Sequence, residues 1–96
     1  MMRVSRYLRD EIINASKVAF GECELILFGS RTDESKSGGD FDIAVVKEMD
    51  RDSFKKAKVQ FFKYLFLKDL DLPIDLVLYS EANEFFKREI DKGEKL

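Results

Sequence analysis

The sequence predicts a small α/β sandwich, with helices packed against a sheet of at least three strands. Three observations carry this expectation. Apolar residues recur at helical spacing near the start of the chain and again beyond residue 52. Three short runs of strand formers lie at 24–28, 41–46 and 74–79, each bounded by polar or Gly/Pro-containing segments. The resulting order is α-β-loop-β-α-β-α, and a chain of 96 residues is expected to form a single domain spanning 1–96.

The first helix is marked by Val4, Leu8, Ile12, Ala15 and Ala19, with Tyr7, Ile13, Val18 and Phe20 widening the stripe and Gly21 as its stop signal. Glu24-Leu25-Ile26-Leu27-Phe28 then reads as a strand cut off by Gly29-Ser30. Arg31 to Gly39 is polar and ends in Ser37-Gly38-Gly39, the composition of a loop. Phe41 to Val46 is a second strand. Asp52-Ser53 offers caps for a helix running to about Phe66, with Phe54, Ala57, Phe61 and Leu65 on one face and Lys55, Lys56, Lys58 and Lys63 on its solvated side. After the break at Leu72-Pro73, Ile74 to Tyr79 is a third strand, and Ser80 is positioned to cap a last helix carrying Phe85, Phe86 and Ile90.

Composition closes off several chemistries. The chain has no His, so neither His-based acid–base catalysis nor a Ser-His-Asp arrangement is available. Cys23 is the only thiol, which excludes an intrachain disulfide and a Cys cluster for zinc, and it reads as a small buried residue. Seventeen basic residues against nineteen acidic ones, a net charge of -2, lack the basic excess of a protein that grips nucleic acid through phosphates, so a nucleic-acid partner is not expected. No signal peptide and no membrane span is evident, and a cytoplasmic location is expected.

The strongest local signal is Gly39-Asp40-Phe41-Asp42-Ile43-Ala44-Val45-Val46. Residues two apart on a strand share a face, so Asp40 and Asp42 point the same way, about 6.6 Å apart along the strand. Phe41, Ile43 and Val45 point the other way, toward a core. At 4 Å and an effective dielectric near 20, two carboxylates repel by about 4 kcal/mol, which a divalent cation relieves. Oxygen-only ligands suit Mg²⁺ or Mn²⁺. Asp75 interrupts the next apolar strand, where Asp is disfavoured, and reaches the same face if the two strands are neighbours. Three such carboxylates could hold two metal ions about 3.5–4 Å apart, as in-line phosphoryl transfer uses. Asp75 could also act as general base on an attacking hydroxyl. The strand-ending Gly29-Ser30 lets backbone amides and a hydroxyl approach an anion, because Gly carries no Cβ, although the pair taken alone is an ordinary turn signal.

Gly29-Ser30, a short polar loop, Asp40-x-Asp42 on the following strand and Asp75 on a later one together resemble the DNA polymerase β-type nucleotidyltransferases, above all the minimal nucleotidyltransferases, whose whole chain is of about this length. The resemblance covers nearly the whole chain. It implies the polymerase β-like nucleotidyltransferase fold, an α/β (α+β) arrangement. It further implies that Gly29, Ser30 and Arg31 bind the phosphates of a nucleoside triphosphate, with ATP favoured, while Asp40, Asp42 and Asp75 form the catalytic metal site for two Mg²⁺. The implied reaction transfers a nucleoside monophosphate, AMP from ATP, to an acceptor hydroxyl. In this family many members serve as the antitoxin paired with a HEPN-domain toxin, and some do so by adenylylating a tyrosine on that toxin, which implies an acceptor on a partner protein. The loop departs from the family's G-S-x-A-R-G: here Gly29-Ser30-Arg31 is followed by Thr32-Asp33-Glu34, and Gly39 replaces the Ser that often precedes the first Asp. A second reading therefore stands beside the first, a catalytically weak or inactive member acting as a binding antitoxin or scaffold. Aromatic residues left uncovered by so small a sheet would suit a partner helix or a homo-oligomer.

Overall fold

A computed structural model describes residues 5–29 and 41–96. Its first helix, α1 (Arg6–Phe20), starts where Ser5 accepts a hydrogen bond from the Leu8 amide at 3.2 Å. It stops at Gly21, whose φ of 79° suits a residue without Cβ and whose amide donates to the Lys17 carbonyl. Ile12, Ala15 and Phe20 are buried, but Tyr7 and Val18 are 57% and 63% exposed. At 100° per residue these two fall on the far side of the stripe centred on Ile12 and Ala19, so they do not widen it.

The strands β1 (Glu24–Phe28), β2 (Phe41–Val46) and β3 (Ile74–Leu78) occupy the expected runs, except that Tyr79 leaves the sheet and opens a 3₁₀ turn, Tyr79–Glu81. Between β2 and β3, helix α2 (Arg51–Leu67) begins before the caps that Asp52-Ser53 offered, its N-cap lying two residues ahead of Asp52. Its N-cap is the extended Asp50, whose carbonyl accepts from the Phe54 amide, and Asp52 falls in the first turn near the helix's positive end. The expected face holds: Phe54, Ala57, Phe61 and Leu65 are all buried, and Lys55, Lys56 and Lys63 are exposed. Lys58 is half-buried with its ammonium 5.4 Å from the Phe54 ring centroid.

The sheet has four strands in the order β3-β2-β1-β4, the last being β4 (Glu94–Lys95). β1 is antiparallel to both neighbours, and β2 is parallel to β3, with α2 as the crossover. Helix α3 (Glu84–Asp91) is capped by Asn83, which accepts from the Phe86 amide at 2.8 Å; Ser80 lies in the preceding turn and does not cap it. Past α3, Gly93 lets the chain lie directly on β1, since a Cβ there would stand 2.3 Å from the Leu27 carbonyl oxygen. That close approach brings β4 into pairing with Ile26 and Leu27, a strand that two charged residues could not announce in the sequence.

Both faces of the sheet are covered. Phe41, Ile43 and Val45 join Leu25, Leu27, Leu76 and Leu78 against α1 and α2, with Phe61 fully buried between them. On the opposite face Phe28, Ala44 and Ile90 form a smaller apolar cluster under α3. Among the described residues, no helix is long and apolar enough to cross a membrane.

Candidate active site

Three strand ends meet at one edge of the sheet: the end of β1 and the starts of β2 and β3. The antiparallel register sets Phe28 opposite Asp42, and the parallel register sets Asp42 opposite Asp75. Residues directly opposite one another share a face of the pleat, on strands about 4.8 Å apart. Asp42 and Asp75 therefore stand side by side on the face that carries Ala44 and Val77 further along, the α3 side. The condition placed on Asp75, that its strand neighbour that of Asp42, is met. Asp42 is half-buried and Asp75 exposed.

A backbone bond sets this register. The Phe41 amide donates to the Pro73 carbonyl at 2.7 Å, tying the entry of β2 to the residue just before β3. Pro73 lacks an N–H and can take part only as an acceptor, so its place at the strand entrance leaves no backbone donor unpaired. In the sequence it appears only as a chain break; its part in aligning the two aspartates is visible only with the strands paired.

Gly29 completes the edge. Its φ is 83°, and a Cβ built there would lie 2.6 Å from Oδ2 of Asp42. The glycine is thus favoured twice, by its left-handed backbone and by a carboxylate that would have to shift for any side chain. The group nearest the bare side of Gly29 is the Asp42 carboxylate.

Two ionised carboxylates set directly opposite on neighbouring strands destabilise the pairing. Asp75 makes no salt bridge among the described residues. Exposure of Asp75 to water reduces the repulsion to roughly 1 kcal/mol, the value for unit charges near 4 Å at water's dielectric. The pair offers only oxygen donors, which fit a hard divalent cation of the Mg²⁺ class. Among the described residues no group of three or more metal-binding side chains converges. The third expected carboxylate, Asp40, lies outside the described residues, as do Ser30 and Arg31. The structure therefore brings together Gly29, Asp42 and Asp75 from the expected six.

No family model matches this chain, and no curated protein matches its sequence. Solved structures do match its fold. One, a crystal structure of a toxin–antitoxin with AMP-PNP, superposes with a TM-score of 0.66 at 21% identity, covering 90% of this chain and 69% of that one. Another, a mutant of the toxin–antitoxin MntA–HpeT, superposes with a TM-score of 0.65 at 20% identity, with coverage of 90% and 69%. At these identities the likeness speaks for the fold. The chain shares the fold of these structures and has the α/β arrangement that its sequence predicts, a four-stranded mixed sheet packed by three helices.

Proposed function

We propose that this protein is a Mg²⁺-dependent nucleotidyltransferase, moving a nucleoside monophosphate from a nucleoside triphosphate, ATP favoured, to a hydroxyl on a partner protein. The observation that carries the reading is the register Asp42↔Asp75 at the edge where Gly29 ends β1. Two carboxylates placed opposite one another cost stability, and a strand pairing that keeps them there is better explained by chemistry than by folding. In the proposed reaction the acceptor hydroxyl oxygen forms a bond to the α-phosphorus as the bond to the bridging α–β oxygen breaks. Pyrophosphate leaves with that electron pair, and Asp75, the more exposed carboxylate, takes the hydroxyl proton.

Asp40, Asp42 and Asp75 would hold Mg²⁺, whose charge would offset that of the phosphates. Gly29 keeps the space over Asp42 free of a side chain, and Ser30 and Arg31, next in sequence, would supply phosphate donors. Two features of the matched structures support the nucleotide and the partner. One of those proteins is bound to AMP-PNP, and both are toxin–antitoxin assemblies. In the other, the two aspartates changed to glutamate are two residues apart, as Asp40 and Asp42 are here. On this reading the chain is an antitoxin, with a HEPN-domain toxin as its partner and acceptor.

A second reading is favoured by one observation, the acidic Asp33-Glu34 that follows Gly29-Ser30-Arg31. Two carboxylates near a triphosphate oppose its binding, and an inactive member would neutralise its partner by binding alone. Transfer of α-³²P label from each of the four nucleoside triphosphates into a source-cell extract, with Mg²⁺ and with Asp42→Asn beside wild type, separates the two. A band labelled by wild type only supports transfer; no label from folded protein supports the inactive binder.

A further inference from the structure

The crossover geometry places a second feature at the same edge of the sheet. Because β2 and β3 are parallel, α2 runs back toward their starts, and its C-terminus reaches the edge that carries Asp42 and Asp75. There the helix ends in a turn that leaves an open groove of about 450 Å³. Phe62, Leu65, Phe66, Leu70 and Leu72 are its apolar lining. Leu72 leads into β3, so the groove lies at the edge where β3 starts, on the α2 side of the sheet and across it from the face that carries Asp42 and Asp75. Phe66 is 78% exposed and the neighbouring Leu67 72%, an apolar surface that a folded chain left to itself would be expected to bury.

The charged groups lining this groove are Asp69 and Asp71, and both are acidic. Neither makes a salt bridge among the described residues. Lys68, the adjacent cation, is turned elsewhere: its ammonium lies 4.0 Å from Glu11 and 5.6 Å from the Tyr64 ring centroid. Both carboxylates follow the C-terminus of α2, where the helix dipole disfavours negative charge. Asp69 also adopts φ 63°, a conformation that usually belongs to glycine at this position. The turn is closed by Asp69 N–H to the Phe66 carbonyl and Leu70 N–H to the Leu65 carbonyl, both at 2.9 Å. A glycine would close the same turn without the strain and without the charge.

We propose that this groove seats a basic amphipathic segment of the partner protein, its apolar side chains against Phe62, Phe66 and Leu70 and its Lys or Arg residues against Asp69 and Asp71. A second copy of the chain fits less well. A two-fold contact through one face brings the same rim to meet itself, setting carboxylate against carboxylate. The inference rests on the proposed function for one point, that a partner protein presents the acceptor; its groove and charges stand independently of transfer. A segment held here would tether the partner at the edge of the sheet where β3 starts, and tethering is how a docking site raises the rate of a reaction it does not itself perform.

The test uses the full chain and two synthetic peptides of one amphipathic design, with leucines at helical spacing and either Lys or Glu on the polar face. Backbone amide shifts are followed by NMR during titration. The Lys peptide is expected to shift the amides of Phe66 and of 69–72, with an affinity that falls as salt rises, while the Glu peptide leaves them unmoved. Asp69→Asn with Asp71→Asn is expected to weaken the Lys peptide roughly five- to tenfold, as two rim charges allow, without changing the melting temperature by much. Phe66→Ser, an exposed position that should fold normally, is expected to abolish the shifts. Equal binding of both peptides, shifts confined to another surface, or self-association lost in Phe66→Ser would each overturn the proposal. Binding of the Lys peptide by a wild-type chain that transfers no label would sink the transferase reading and leave the groove standing, while loss of peptide binding with transfer kept would do the reverse.

Discussion

Gly29→Ala tests the closest contact in the candidate site. The substitution acts in two ways. A left-handed backbone costs an L-residue about 1–2 kcal/mol, and the φ here is 83°. The new methyl would also lie 2.6 Å from Oδ2 of Asp42 and 3.3 Å from its Cγ, so the carboxylate must rotate from its preferred rotamer. That displacement costs about 0.5–1.5 kcal/mol. The combined loss is roughly 2 kcal/mol, which for a domain of this size lowers Tm by about 8–16 °C. Because the carboxylate moves by a fraction of an ångström to an ångström, transfer per folded molecule should fall by about 10²-fold. Gly93→Ala is the internal control. Its methyl would meet the Leu27 carbonyl oxygen at 2.3 Å, and Leu27 is held between two strands and cannot swing aside. That variant should lose about 3 kcal/mol or more of stability, yet retain more transfer per folded molecule than Gly29→Ala. Circular-dichroism melts and the labelled-nucleotide assay read the two quantities separately. A Gly29→Ala protein that melts within about 1 °C of wild type and transfers label normally would refute the reasoning.

Further outcomes follow from the same geometry. Asp75→Asn should raise Tm in metal-free buffer by a few degrees, because it removes roughly 0.5–1 kcal/mol of repulsion from Asp42; added Mg²⁺ should raise Tm for wild type and fail to do so for this variant. Asp69→Gly should stabilise the fold by about 0.5–1 kcal/mol by relieving the left-handed backbone after α2, measurable by urea denaturation, while weakening the Lys peptide described above. The Tyr64 phenol is raised above its ordinary 10.0, first by partial burial and then by the Glu11 carboxylate to which its hydroxyl donates at 3.0 Å. A raised acid favours the folded state in its protonated form, so this contribution is complete below about pH 10 and is lost as pH rises through the folded value. Tyr64→Phe should therefore flatten the alkaline fall in Tm, leaving the part due to Tyr79, which is raised by burial and by Asp91.

What the sequence made legible follows the physics of each signal. β1 and β2 were readable to the residue because apolar runs bounded by Gly or charge have sharp edges. α2 was readable in its face but not in its start, since Asp50, Asp52 and Ser53 are all able caps and only the backbone of the preceding extended residue chooses among them. β4 was not readable: two charged residues paired through backbone atoms carry no side-chain period. In the candidate site, the common face of Asp42 and Asp75 depended on strand adjacency, which composition does not encode, and on a register held by the Phe41–Pro73 bond. The closeness of Gly29 to Asp42 was half-legible. Glycine announces that something must come near, but only the folded chain says what.

The two ends of the sheet differ in how they treat local rules, and the difference locates the function. At the far end the chain is conventional: Gly21 closes α1, Asp50 caps α2, and the Lys47 ammonium donates to the Phe20 carbonyl beside the helix C-terminus, where a positive charge belongs. At the near end three departures gather. One strand carries an aspartate in its second position, where aspartate is disfavoured, a second aspartate stands directly opposite it, and a third takes the glycine conformation at the wrong end of a helix dipole. Each lowers stability by about a kcal/mol. Scattered departures of this kind would be the ordinary noise of a marginally stable chain. Their gathering at one edge, in residues from two strands and the end of a helix, means that the sequence gives up stability there for charge. Negative charge in that concentration is useful only toward something positive. On the proposed reading the aspartates on one face serve a cation and the groove on the other face serves a basic segment, so a single edge would hold both the reacting group and the chain that carries it.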